Sequence, residues 1–193
     1  GIIPKFVTRF SKNPKDIIYH IKYFNPDLII HAAGMVGGIE ANINNSFNFF
    51  IDNLEMGKNI ILASKEFGVK NFINFACSCI YPKNLNVLLE EDMVLKGELE
   101  KTNEGFALAK LMNLKLCEYV SLNFENLNYK TLIPCNVYGN YDSFDPKRSH
   151  LIPAIIYKIH KAYREGKESV EIWGDGTARR EFMHVNDLVD ATL

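Results

Sequence analysis

Leu28-Ile29-Ile30-His31-Ala32-Ala33-Gly34-Met35-Val36-Gly37-Gly38 decides how the rest of the chain is read. Residues 28–33 form a short apolar run without alternation, which reads as a strand buried on both faces. The glycines at 34, 37 and 38 let backbone approach a ligand just past that strand. Upstream, Asn13-Pro14 offers an N-cap and a proline at the first helical position, with Asp16 in the first turn. This predicts a helix to about Phe24, stopped by Asn25-Pro26. Downstream, residues 46–67 read as a long helix closed by Gly68, and residues 71–77 as a second strand. A polar stretch follows. Then come a helix over 106–122, a strand over 129–134, a helix over 151–165 and a strand over 170–173. Gly174-Asp175-Gly176 marks a turn, and Val185-Asn186-Asp187 opens a last helix. Strands separated by helices imply parallel pairing, so the expected fold is α/β with a doubly wound sheet.

The 193 residues suffice for one domain with an appendage. With 47% hydrophobic and 23% charged residues the chain can bury a core, which argues against global disorder. A net charge of -1 supplies no basic field for nucleic acid. Asn, Lys, Glu and Gly interrupt every apolar stretch short of membrane-spanning length. Lys5, Arg9, Lys12 and Lys15 break any signal-peptide core, so the cytoplasm is the expected compartment. Cys77, Cys79, Cys117 and Cys135 make no C-x-x-C, and the histidines make no H-E-x-x-H. No metal site is expected. In the two long helices, Phe47, Phe49, Phe50, Ile51, Leu54, Ile60, Ile61 and Phe67 cannot all face one sheet. Either a homodimer through these helices or cover by other parts of the chain would bury the excess.

Doubly wound sheets bind ligands beyond the carboxyl ends of their strands. Three stretches fall there: residues 31–38, Cys77-Ser78-Cys79-Ile80-Tyr81-Pro82, and Asn136-Val137-Tyr138-Gly139. Alone, Gly34-x-x-Gly37-Gly38 reads as a turn, and no G-x-G-x-x-G occurs anywhere in the chain. Three further stretches extend the series. They are T-N-E-G-x-A-x-A-K over 102–110, S-H-x-I-P-A over 149–154, and W-G-x-G-T-x-R-R-E-F-x-H-V-x-D over 173–187. From about Asp27 onward the whole set resembles, in order and spacing, the GDP-L-fucose synthases. These are the 3,5-epimerase-4-reductase branch of the extended short-chain dehydrogenases, also called NAD-dependent epimerase/dehydratases.

That resemblance implies a Rossmann-type doubly wound parallel sheet lacking its first strand, with part of a smaller substrate-binding lobe. Residues 1–135 would be a partial dinucleotide-binding domain, 136–166 a substrate-lobe segment, and 167–193 a return to the dinucleotide-binding domain. The G-x-x-G-x-x-G turn that grips the cofactor pyrophosphate would lie before Gly1, and the chain would be incomplete at both ends.

The implied substrate is a GDP-bound 4-keto-6-deoxy sugar, whose ketone acidifies the neighbouring C–H bonds. Epimerisation needs an acid and a base on opposite ring faces, roles that the resemblance gives to Cys79 and His150. Reduction uses NADPH, with a strand-end serine and a Tyr-x-x-x-Lys pair one helical turn apart. Lys110 keeps its place in that pair, but Phe106 stands at the tyrosine and Cys77 at the serine. Phenylalanine has no proton to give. Tyr157/Lys161 and Tyr163/Lys167 share the spacing but fall on the helix that the family uses for substrate contacts.

Lys158, Trp173 and Arg180 would meet the nucleotide end of the substrate. Phe75, Ala76, Cys77, Ser78, Lys110, Asn136, Val137, Tyr138, Gly139 and His150 would line the cofactor side. The expected protein is an NADP-dependent GDP-sugar epimerase/reductase with reduction impaired. An epimerase-only enzyme and a non-catalytic binding or dimerisation protein are the rivals.

Overall fold

The computed structural model describes residues 13–85, 87–145, 149–172 and 174–193. These divide into two units. One runs to Val36 and resumes over Asn42–Ile133; the other takes Gly37–Ala41 and Pro134–Leu193.

The first unit begins with α1, Pro14–Phe24. The Asn13 side chain caps it by accepting from Lys15 N at 3.0 Å. The helix ends where Asn25 turns left-handed at φ 42. β1, Leu28–His31, follows, and then the short helix α2, Ile39–Asn44. The long helix α3, Ser46–Glu66, comes next. Gly68 closes α3 at φ 69, with its N–H on Lys65 O at 3.2 Å. A side chain there would be strained. β2, Asn71–Phe75, is followed by α4, Glu104–Asn123, and β3, Asn128–Leu132. The sheet order is β1-β2-β3, all parallel, with Leu28 opposite Asn71 and Phe72 opposite Tyr129. The α/β parallel sheet expected from strand–helix alternation is present.

Burial explains the register. Ile61, Phe72, Cys117, Val120 and Tyr129 form one core cluster, and the Phe72 and Tyr129 rings stack at 5.1 Å. Slipping a strand by one residue would turn Phe72 out of this cluster. A fully buried Phe is worth roughly 1.5–3 kcal/mol against exposure. Ile17, Ile21, Ala63 and Val69 hold α1 to the same layer. Between α3 and α4, a Cβ on Gly57 would sit 2.0 Å from Asn113 Nδ2. Glycine lets Asn113 lie across α3 and donate to Asn53 O at 3.0 Å.

The second unit contains β4, Asn136–Tyr138, and α5, Leu151–Arg164. β5, Phe182–His184, and α6, Val185–Thr192, complete it. β4 and β5 pair in parallel, Asn136 opposite Phe182. Here the sequence reading needs correcting. Residues 170–172 form no strand, and Trp173 lies outside the described residues. The Glu171 carbonyl accepts from Lys158 Nζ at 2.9 Å, a side-chain bond and not a ladder bond. The pairing falls instead to Phe182–His184, beyond two left-handed glycines, Gly174 at φ 91 and Gly176 at φ 80. Strand propensity at 170–172 was overruled by the partner available to β4. Among the described residues, no helix is long and apolar enough to cross a membrane.

Candidate active site

The first unit gathers chemistry at the carboxyl end of β2. Ala76 N–H still reaches Leu132 O at 2.9 Å, so the ladder holds the chain to that point. Cys77 is extended and enters a 3-10 turn over Ser78–Ile80, closed by Ile80 N–H on Cys77 O at 3.2 Å. Ile80 is fully buried and packs with Ala76 and Leu111, which anchors the turn. Cys77 and Cys79 are half-buried, pack against that cluster and influence one another's ionisation.

Lys110 reaches the same place from α4. Its ammonium is buried and donates to Phe75 O at 2.9 Å. Burial pulls its pKa down, and the nearby thiols oppose that pull. The thiols respond as a pair. Hydrogen bonding from Cys79, aided by the Lys110 charge against the cost of burial, lowers Cys77. Cys79 is pushed up by that same bond and by burial. The ionisation of Cys77 is thus favoured and that of Cys79 disfavoured. A free thiol titrates at about 8.5.

Phe106, one helical turn before Lys110, presents a ring whose centroid lies 5.7 Å from Lys110 Nζ. The ring meets Phe49 edge-on at 6.5 Å. The ammonium therefore faces sulfur and an aromatic ring, with no hydroxyl at position 106.

Two further residues shape this end of the sheet without having been singled out by sequence. His31, at the end of β1, is 3% exposed, and its pKa is lowered to about 4, chiefly by burial and then by Lys110. Asn53 projects from α3 and brackets Met35, accepting from its N–H at 2.9 Å and donating to its carbonyl at 3.0 Å. It also donates to Phe49 O at 2.7 Å. This fixes the loop after β1. A Cβ on Gly34 would lie 3.1 Å from Asn53 Oδ1 and 3.5 Å from Lys110 Nζ. The sequence signal for His31 was a polar residue inside an apolar run, whereas Asn53, between Asp52 and Leu54, carried none.

The other expected site residues belong to the second unit. Asn136, Val137 and Tyr138 form β4, and Asn136 Nδ2 donates to Glu181 O at 3.0 Å. Gly139 follows at φ 155, where a Cβ would sit 2.5 Å from Val185 Cγ1. His184 accepts from Asn186 N at 3.3 Å and meets the Tyr138 ring edge-on at 5.4 Å. His150 occupies the N-cap position of α5 with no side-chain cap bond and is exposed. Arg180 is exposed and donates to the carbonyl of Arg179 at 2.7 Å. Lys161 and Lys167, of the two alternative Tyr-x-x-x-Lys matches, pair with Glu165 at 3.9 and 2.6 Å. Among the described residues, no three His, Cys, Asp or Glu side chains could hold a metal ion.

Comparison with known proteins follows the same lines. The sequence pattern of the NAD dependent epimerase/dehydratase family matches residues 5–193. A GDP-L-colitose synthase from Yersinia pseudotuberculosis is 51% identical over 191 residues, 96% of this chain and 62% of that protein. A GDP-L-fucose synthase from Azorhizobium caulinodans is 50% identical over 186 residues, 96% of this chain and 59% of that protein. The crystal structure of a GDP-L-fucose synthetase from Naegleria fowleri bound to NADP superposes with a TM-score of 0.85 at 26% identity. It aligns with 94% of this chain and 60% of its own. The chain thus spans about three fifths of the length of the curated relatives it matches.

Proposed function

Because this chain belongs to the NAD dependent epimerase/dehydratase family, we propose that it is a GDP-sugar epimerase/reductase acting on a GDP-4-keto-6-deoxy sugar. In this reading epimerisation is intact and reduction is slowed. The observation that carries it is the thiol pair beside a buried lysine, with Phe106 in the position of the proton donor. The names of the Yersinia, Azorhizobium and Naegleria proteins support the choice of a GDP-sugar.

Cys79 exchanges the proton beside the ketone. Its partner Cys77, the member of the pair that ionises first, can accept the Cys79 proton and return it during exchange. The Lys110 charge favours the ionised pair. His150 is the opposing acid implied by the family resemblance.

NADP fits the residues present. A buried ammonium that donates to Phe75 O retains further N–H donors for the hydroxyls of a nicotinamide ribose. When bound, NADPH supplies the hydride for reduction at C4. In the first unit, Phe75, Ala76, Cys77 and Ser78 would line its site. Lys158, Trp173 and Arg180 would take the nucleotide end of the sugar. Phe106 can pack there but cannot protonate the C4 oxygen. Losing a positioned acid costs about 10²–10⁴-fold in rate.

The protein acts in the cytoplasm as a homodimer. α3 and α4 still expose Phe47, Leu62, Met112, Tyr119 and Leu122, and Phe47 is 72% exposed. The sequence excess has thus been sorted, with Phe49 and Ile61 buried within the chain.

The test uses GDP-4-keto-6-deoxymannose with NADPH in D₂O. Deuterium should enter the sugar beside the ketone while little NADPH is oxidised. Substrate that binds but takes up no deuterium would favour a non-catalytic binding protein.

A further inference from the structure

Two thiols carried on one short turn can do more than exchange protons. Cys77 and Cys79 are separated by Ser78 alone and flank a tight turn. Both pack against the cluster of Ala76, Ile80 and Leu111. A strand would hold two such Cα atoms about 6.6 Å apart, two steps of about 3.3 Å. That is close to the upper limit of about 6.8 Å for a disulfide. The 3-10 turn at Ser78–Ile80 has a smaller rise, about 2.0 Å per residue, and draws the pair closer. Both side chains are partly open to solvent, and the Lys110 ammonium lies in the field of both sulfurs. Thiolate character together with access is what makes a cysteine reactive. Cys117 differs, being fully enclosed in the core with Phe72 and Tyr129.

We propose that Cys77 and Cys79 form a peroxide-sensitive dithiol, which closes to an intramolecular disulfide and withdraws Cys79 from proton exchange. The Cys77 thiolate attacks one oxygen of hydrogen peroxide or an organic hydroperoxide. The O–O bond breaks, hydroxide or alkoxide leaves, and Cys77 becomes a sulfenic acid. Cys79 then attacks the Cys77 sulfur. The S–O bond breaks, water leaves with the Cys79 proton, and the S–S bond forms. Two thiols lose two electrons, and the peroxide takes them up. A thiol reductant reverses the change. The cross-link rests on the turn that carries both cysteines and on their shared packing. Its effect on activity rests on the reading of Cys79 as the exchanging base.

The experiment treats the reduced protein with hydrogen peroxide and follows intact mass, free thiols and peptide maps. The expected product loses two hydrogens, falls from four titratable thiols to two, and maps to a Cys77–Cys79 link that dithiothreitol removes. Cys135→Ser should keep the link. Cys77→Ser and Cys79→Ser should each leave the remaining thiol as a sulfenic acid trapped by dimedone. Deuterium exchange into substrate should fall at least about tenfold on oxidation and return on reduction. Dimedone labelling of the unmodified protein without a disulfide, a link through Cys117 or Cys135, or four thiols surviving would overturn the proposal. A Cys77–Cys79 link with unchanged exchange would leave the cross-link standing and refute Cys79 as the base.

Discussion

Lys110 looks onto two unlike neighbourhoods. On the sheet side stand Cys77 and Cys79, which carry exchangeable protons and answer to its charge. On the helix side stands the Phe106 ring, 5.7 Å from the ammonium and packed against Phe49, with no proton at all. The same buried cation serves both. The difference teaches that a lysine in this position can tune sulfur where a phenol is absent, so under the proposed function epimerisation and reduction need not rise and fall together.

Removing the cation breaks the comparison most severely. Lys110→Met takes an opposite charge from the thiol pair and so moves its ionisation upward. At neutral pH, deuterium exchange should fall about 10–10³-fold. The deficit should shrink as pH rises, because the variant's pair ionises later. A pH profile of exchange checks this, and a deficit constant with pH would mean that Lys110 only positions the turn.

His31 gives a smaller effect, read in stability. Its folded pKa of about 4 lies below the ordinary value of 6.5 because burial favours the neutral ring. Above 6.5 it is neutral folded or unfolded and contributes no pH dependence. As pH falls from 6.5 towards 4, the unfolded chain takes up the proton first and stability is lost. The loss approaches about 3 kcal/mol, from roughly 1.4 kcal/mol per pKa unit. Urea unfolding at successive pH values should show this slope, and His31→Gln should flatten it.

Packing on the helix side is sharpened by two glycines. Gly57→Ala drives a Cβ into Asn113 and should cost about 1–3 kcal/mol in denaturant unfolding. Gly38→Ala meets nothing within 4 Å and should stay within about 0.5 kcal/mol. Equal costs would mean that α3 and α4 do not approach at Gly57 as described.

Much of this was legible in the residues. Asn13-Pro14, the apolar run from Leu28 and the Gly68 stop carry local signals, and the helices and the three-stranded sheet followed them. Lys110, Cys77, Cys79 and Phe106 were marked by the family resemblance, and the fold brings the two cysteines and the Phe106 ring near the Lys110 ammonium. β4 and β5 were not, since three residues carry too little pattern and their pairing is decided across more than forty residues of chain. Residues 170–172 misled for the converse reason, having strand propensity without a strand partner. Asn53 and His31 depend on tertiary burial, which spacing does not reveal. The influence of each cysteine on the other's ionisation is likewise a property of the folded turn.

The most direct measurement of the central claim is NADPH oxidation with GDP-4-keto-6-deoxymannose by Phe106→Tyr carrying Cys77→Ser, set beside deuterium exchange by the unmodified protein. The account predicts steady exchange with weak oxidation before substitution. After it, oxidation should rise at least about tenfold, a modest part of what a positioned acid supplies. Brisk oxidation by the unmodified protein, or no rise in a folded variant that binds both ligands, would contradict it.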